Sequence, residues 1–350
     1  MDRQILLKTL NEFERFLVKT DDEIVNTTIV NLEKEFNLVQ HDKFEIIEPN
    51  QLYGNSMVYR LKFSTIDPFK FIIPHNVRDS IHIWSYELVH GCPILAYSDY
   101  AIRTYQSSGM KYIKYFPQIY ASITPFKTLF DIRYKDASRI KVVKERSILI
   151  VPDHSTGRLK SKKTDLVGYR HDLKKLYNED LKIGLLLYYL DLKDFIQKSD
   201  EFNLKVFDSV HCCGDRNDIN FITRLVVLFK KYDTVIFENF TSGIYFALQA
   251  GCNVLVRSPN IFSIYNSAET QLAPEWQIID KEMSDFRKSW FKNGSYNSEM
   301  VGLINISDDN SFRRFVNISD SECQFQYLLN ISKGIDFEPL PLNSIYPFLN

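Results

Sequence analysis

An α/β architecture is predicted by three features of the sequence: short continuous apolar runs, helical spacers between them, and polar loops where each run stops. The pattern is clearest from about Ser147 onward. There Ile148-Leu149-Ile150-Val151 ends abruptly at Pro152-Asp153-His154-Ser155-Thr156-Gly157, as a buried strand does on emptying into a loop. Further strands are expected at 183–190, 204–210, 233–237 and 253–256, with helices at 164–178, 192–199, 217–231 and 242–250. Strands that are continuously apolar rather than alternating belong to a parallel sheet covered on both faces, joined by right-handed crossovers.

The first half reads differently. Apolar spacing near three and four predicts amphipathic helices over 4–18 and 22–36, joined at Thr20-Asp21-Asp22. Residues 57–73 hold two β-branched and aromatic runs broken by Asp67-Pro68, which predicts a turn between strands. A helix near 79–90, a strand at 93–98, a helix near 99–108 and a strand at 111–116 complete a small α/β unit. At 350 residues the chain exceeds one compact core, so two domains are expected, 1–140 and 141–350, the second ending in C-terminal helices, facing a cleft. No internal repeat or low-complexity linker interrupts them.

Composition excludes several function classes. Lys and Arg number 43 against 44 Asp and Glu, so the broad positive field that supplies most non-specific nucleic-acid affinity is missing. No run approaches the roughly 18 apolar residues of a membrane span, and the acids in MDRQILLKTLNEFERF do not suit a signal or transit peptide. Five cysteines, Cys92, Cys212, Cys213, Cys252 and Cys323, without CxxC spacing, fit a reducing compartment and no zinc site. The cytoplasm is the expected location, with the 1–40 helices or the basic 134–146 segment available for peripheral contact with the inner face of a membrane. No G-x-G-x-x-G opens a helix, which argues against a dinucleotide-dependent dehydrogenase.

Ligands of open α/β sheets bind beyond the carboxyl ends of the strands, so the residues that follow each strand matter most. These are Asp153 to Arg158, then Asp191, then His211-Cys212-Cys213-Gly214-Asp215-Arg216, then Glu238-Asn239-Phe240-Thr241-Ser242-Gly243. Together they form an inventory for anions and sugars. Thr241, Ser242 and Gly243 open a helix that Gly251 closes, and such a helix start holds phosphate through free backbone N–H groups, although a Thr or Ser there is also an ordinary N-cap. Glu238 could grip ribose hydroxyls or be a solvated strand end. The Lys160-Ser161-Lys162-Lys163 run reads as a solvated face, and Asp191-Leu192-Lys193-Asp194 as a loop and helix start rather than a metal site.

The residues Ile148 to Gly157, Val206 to Arg216 and Asp233 to Val256 resemble the donor-binding domain of GT-B glycosyltransferases, particularly those that build bacterial capsule and lipopolysaccharide chains. Ile73-Pro74-His75-Asn76 followed by Pro93 to Ser98 resembles an acceptor-domain pattern. The resemblance implies two Rossmann-like lobes, a nucleotide-sugar donor, a glycan or lipid-linked glycan acceptor and no metal or other cofactor. It further implies that the helix start at Thr241, Ser242 and Gly243 receives the donor diphosphate.

Sugar transfer needs stabilisation of a leaving diphosphate and, for inversion, a base for the acceptor hydroxyl. Arg158, Arg216 and the 242–243 amides suit the first need, with His211 and Gly214 in the same donor loops. His75, Asp153 and His154 are candidates for the second. Two other functions fit the same pattern: a polyol-phosphate transferase of teichoic-type polymers, and a non-catalytic α/β module that binds a nucleotide or a partner protein.

Overall fold

The structure, a computed structural model, describes residues 2–31, 41–74, 77, 92–98, 101–103, 105, 119–135, 146–154, 166–177, 180–192, 204–238, 241–257 and 304–305. The elements expected at 79–90 and 111–116, nearly all of 192–199, and residues 32–36 of the second helix lie outside these. So do the C-terminal helices expected after Val256.

A six-stranded sheet organises the second half. Its members are β3 (Ser147–Val151), β4 (Lys182–Leu186), β5 (Ser209–His211), β6 (Thr234–Phe237), β7 (Asn253–Val256) and β8 (Ile304–Asn305), arranged β5-β4-β3-β6-β7-β8. All pairs are parallel except β7 with β8. β3 pairs with β4 on one edge, Ile148 opposite Ile183, and with β6 on the other, Ile148 opposite Thr234. Helices α5 (Leu166–Tyr177), α6 (Phe221–Lys231) and α7 (Ser242–Gln249) cover it.

Both faces are buried, as continuous apolar strands require. Ile148, Ile150, Ile183, Leu185, Ile236 and Leu255 point to one side and meet Leu166, Tyr169 and Leu173 of α5. Leu149, Leu186, Val235, Phe237, Val254 and Val256 point to the other and meet α6 and α7 through Ile222, Val226, Phe229 and Ile244. The alternation along each strand is the period-two rule applied to a sheet with no wet face.

The first half contributes α1 (Arg3–Leu17), α2 (Asp21–Asn26), a 3₁₀ segment over Glu48–Gly54, α3 (Asn55–Phe63), a two-stranded parallel sheet of β1 (Ile94–Ala96) and β2 (Ile119–Ala121), and α4 (Pro125–Tyr134). Asp2 caps α1 by accepting from the N–H groups of Gln4 and Ile5, and Thr20 with Glu23 forms a capping box on α2. The expected strand over 57–63 is instead helix α3. Its boundaries are two left-handed residues, Gly54 (φ 77°) and Ser64 (φ 48°), and a seven-residue mixed run does not by itself distinguish the two periods. The second run does join the small sheet, through a parallel bridge from Ile72 to Ile94. The expected strand 204–210 is split: Leu204–Val206 forms a 3₁₀ turn and only Ser209–His211 pairs.

Residues after α2 also depart from the helix expected over 22–36. Val30 N–H donates to the Val210 carbonyl and Cys212 N–H to the Thr28 carbonyl, both at 2.8 Å, so the chain runs antiparallel along the outer edge of β5. An otherwise open sheet edge is thereby covered. The core is correspondingly continuous: Leu6 and Phe13 of α1, Met57 and Tyr59 of α3, and Phe126 and Leu129 of α4 share one cluster with the α6 face of the large sheet. Within it, Arg60 and Glu45 form a fully buried pair. The guanidinium donates to both carboxylate oxygens at 2.9 to 3.1 Å and to the Asp67 carbonyl at 2.9 Å, which satisfies the charge that burial would otherwise penalise.

A second tie between the halves runs through backbone. Tyr53, at φ 60°, donates its N–H to the Arg216 carbonyl at 2.6 Å. Gly54, at φ 77°, comes so close to Ile219 that an added Cβ would stand 2.0 Å from its carbonyl oxygen. Gly54→Ala should therefore cost at least about 2 kcal/mol, from left-handed strain and from displacement of the 215–219 backbone. Urea unfolding measures it, and a loss below about 0.5 kcal/mol would contradict this docking.

Candidate functional site

The chain leaves β3 for β4 on one side and reaches β6 on the other, so the strand order reverses between β3 and β6. A crevice outside the carboxyl ends of the strands at such a switch point is where open α/β sheets bind ligands. Two expected site residues meet across it. Glu238, the residue after β6, donates its N–H to the Val151 carbonyl at 3.1 Å and accepts the Asp153 N–H on Oε2 at 2.9 Å. Asp153 in turn accepts the His154 N–H on Oδ1 at 3.0 Å.

Arg257, immediately after β7, faces the other oxygen of Glu238 at 3.9 Å and lays its guanidinium over the Tyr169 ring at 4.0 Å. Burial raises the Glu238 pKa; the Asp153 amide and Arg257 work against the rise, and the Asp153 charge adds to it. Glu238 and Arg257 stand at the polar end of a small pocket whose walls are Ile150, Pro152, Leu166 and Ile236. The pocket is far smaller than a nucleotide-sized ligand site.

On the β4 side the site is aromatic. His154 packs its ring against Tyr188 at 4.6 Å between centroids, and Tyr188 meets Tyr189 at 4.6 Å. The Tyr188 hydroxyl lies 3.3 Å from that of Tyr53, whose ring rests on Phe221 at 4.6 Å. Loss of surrounding water raises the pKa of all three tyrosines, so they remain neutral hydroxyls able to donate and accept. Desolvation likewise lowers the pKa of His154 even though the residue reaches the surface, against the opposing pull of Asp153 and Asp191. The shift favours the unprotonated ring, the form that can take a proton. The Arg216 side chain is exposed nearby, while its backbone is fixed by Tyr53.

At the start of α7, Thr241 occupies the N-cap position in extended conformation but makes no side-chain bond to the helix amides. Ser242 points its hydroxyl at the Val77 carbonyl, 3.5 Å away, so a first-half segment reaches this helix start. Gly243 lies against Phe237, where a Cβ would come within 2.7 Å of the ring. His75 and Arg158 lie outside the described residues.

His211 and Gly214 are placed differently from the expectation that they face the donor. Gly214 is buried, with φ 110°, against Asp218 and Arg224, and Arg224 holds the loop by donating to the Cys213 carbonyl at 2.9 Å and pairing with Asp218. His211 is only 2% exposed, and both ring nitrogens are engaged. The Thr28 hydroxyl gives its proton to the Val25 carbonyl, so its oxygen accepts from His211 Nδ1 at 2.8 Å. Nε2 is then an acceptor, within reach of the Ser209 and Tyr232 hydroxyls at 2.8 and 2.9 Å, which also bond each other at 2.9 Å. The ring ties the edge segment 28–30 to β5 from below the site. Tyr53, Tyr188, Tyr189 and Arg257 were not among the expected site residues. Arg257 and the tyrosine pair follow strands, so extending the strand-end rule to β7 and to the actual end of β4 would have found them.

Among the described residues no three His, Cys, Asp or Glu side chains gather to hold a metal ion, and no helix is long and apolar enough to cross a membrane. No family model matches the sequence, and no curated protein matches it. Among solved structures, the wall teichoic acid polymerase TagF is similar at a TM-score of 0.39 and 12% identity, over 77% of this chain and 68% of that one. The reading of the site therefore rests on its own geometry.

The His211 network carries a pH signature. Burial, with a smaller push from Lys231, lowers its pKa to about 4. Between that value and the ordinary one near 6.5, the unfolded chain binds a proton that the folded protein refuses, so stability is complete above about pH 6.5 and is lost as pH falls toward 4. The contribution is about 3 kcal/mol. Urea unfolding across pH 4 to 7 should show a shallower acid decline in His211→Gln than in the wild type, and identical slopes would contradict the assignment.

Proposed function

We propose that this chain is a cytoplasmic transferase of two lobes, 1–140 on the acceptor side and 141–350 on the donor side. It moves a sugar from a nucleotide-sugar to a growing bacterial surface glycan of the capsule or lipopolysaccharide type, without a metal. Thr241, Ser242, Gly243 and Arg216 hold the donor diphosphate, with Arg158 in support. One of His75, Asp153 or His154 acts on the acceptor hydroxyl, and the 1–40 helices or the 134–146 segment offer peripheral contact with a membrane.

The observation that carries this reading is the β3/β6 switch point, where Asp153 and Glu238 meet across the carboxyl ends of the strands. Further support comes from the helix start left without a side-chain cap at Thr241, the His154 ring packed on Tyr188 after β3, and the exposed Arg216. Amides that no side chain satisfies can receive phosphate oxygens, and an imidazole kept neutral can accept the proton of an attacking hydroxyl.

A thermal-shift series with UDP, GDP, CMP, ADP and their sugar conjugates tests the reading, because a ligand bound only by the native state raises Tm. One nucleotide should stabilise the protein selectively. Ser242→Ala and Arg216→Ala should each weaken its binding by roughly tenfold, the loss of about one charge-assisted or ordinary hydrogen bond, while unfolding as the wild type does without ligand. Unchanged binding in both variants contradicts the diphosphate assignment. No shift with any nucleotide, but one with a nucleotide-linked polyol phosphate, would favour a polyol-phosphate transferase.

A further inference from the structure

We propose that Glu238 is a positioning residue whose carboxylate, steadied by Arg257, pins the backbone after β3 and so holds His154 against Tyr188. The inference rests on reading His154 as a group that acts on the acceptor, and it assigns Glu238 a task other than gripping ribose.

The geometry forms one connected chain across four strand ends. Tyr169 of α5 supports the Arg257 guanidinium at 4.0 Å, and Arg257 faces Glu238 Oε1 at 3.9 Å. Glu238 Oε2 accepts from the Asp153 amide at 2.9 Å, and Asp153 Oδ1 accepts from the His154 amide at 3.0 Å. The His154 ring then rests on Tyr188, 4.6 Å between centroids. A loop at a strand end otherwise has no partner for its first amides, and a half-buried carboxylate is a stronger acceptor than water can be at that position. Arg257 limits the cost of burying that carboxylate, since an isolated charge there would protonate or drag in solvent.

Two consequences separate a tether from a mere strand terminus. The contact is made by a side-chain oxygen acting as an acceptor, so a carboxamide in its place preserves it and a methyl group does not. The environment of His154 also depends on it, because the loop keeps the ring on Tyr188 and near Asp153 and Asp191. The groups that act on His154 are Asp153 on its own loop and Asp191 on the turn after β4, with Tyr188 packed on its face. Glu238 and Arg257, at the ends of β6 and β7, lie one step further along the same chain.

The test is an NMR titration of the full chain with its histidine ring carbons labelled, the His154 resonance being identified by its absence in His154→Asn. In the wild type His154 should titrate below the ordinary histidine value. Glu238→Gln, whose carboxamide oxygen still accepts from Asp153, should leave that titration where it is. Glu238→Ala should move it up to the ordinary value, with His211 unchanged as the sign that the sheet is intact. Titration of His154 in Glu238→Ala as in the wild type would overturn the proposal, and so would an equal movement in Glu238→Gln and Glu238→Ala, which would make the effect one of charge. No ligand enters this experiment, so its outcome is independent of nucleotide binding, which tests the transferase reading separately.

Discussion

Parallel ladders on both edges of Ser147–Val151 constrain everything else in the second half. The strand has no wet face and no free edge, so Ile148–Val151 are all apolar, in register with Ile183–Leu185 on one side and Thr234–Phe237 on the other. Its carboxyl end is fixed to that of β6 at the same level. The order of the neighbouring strands reverses at this seam, and the two loops that leave it meet each other. The bond from the Asp153 amide to Glu238 joins them. The fold thus delivers an acid, an imidazole and an arginine to one place as a by-product of sheet topology.

The first half is bound to this sheet by chemistry that differs from one contact to the next. Residues 28–30 complete the edge of β5 by backbone pairing, and His211 reinforces the seam beneath them. Tyr53 and Gly54 use left-handed backbone to approach the loop of Arg216 to Ile219, which brings a phenol to the tyrosine pair at the end of β4. A shared apolar cluster fills the space between. A non-glycine residue in the left-handed region is uncommon, and Tyr53 holds that conformation beside the candidate site, which is where such strain tends to be retained.

Much of the sheet was legible in the sequence for a physical reason. Strands buried on both faces must be continuously apolar, and Ile148–Val151, Thr234–Phe237 and Asn253–Val256 fall within one residue of their expected places. Helices α6 and α7 were legible because each fills the span between two strands. Misreadings occurred where an apolar run was short and its partner distant in sequence. Met57 to Phe63 is helical because left-handed residues close both of its ends, and neither Gly54 nor Ser64 announces itself as a pair. Ile29 is a sheet-edge residue only because His211, far along the chain, offers it a ladder. The segment His211 to Arg216 reads as a loop in sequence, yet His211 ends β5, and whether a side chain here faces outward, like Arg216, or inward, like His211, depends on Thr28 and Tyr232, which local pattern does not encode.

The central claim is that ligand meets this protein at the joined ends of β3 and β6. Hydrogen–deuterium exchange of the full chain, with and without the nucleotide that stabilises it, tests this most directly, since bound ligand slows exchange where it closes local openings. The account predicts new protection in the peptides spanning 151–158 and 237–244, with the β1–β2 region unchanged. Protection confined to the first half, or spread evenly along the chain, would contradict it.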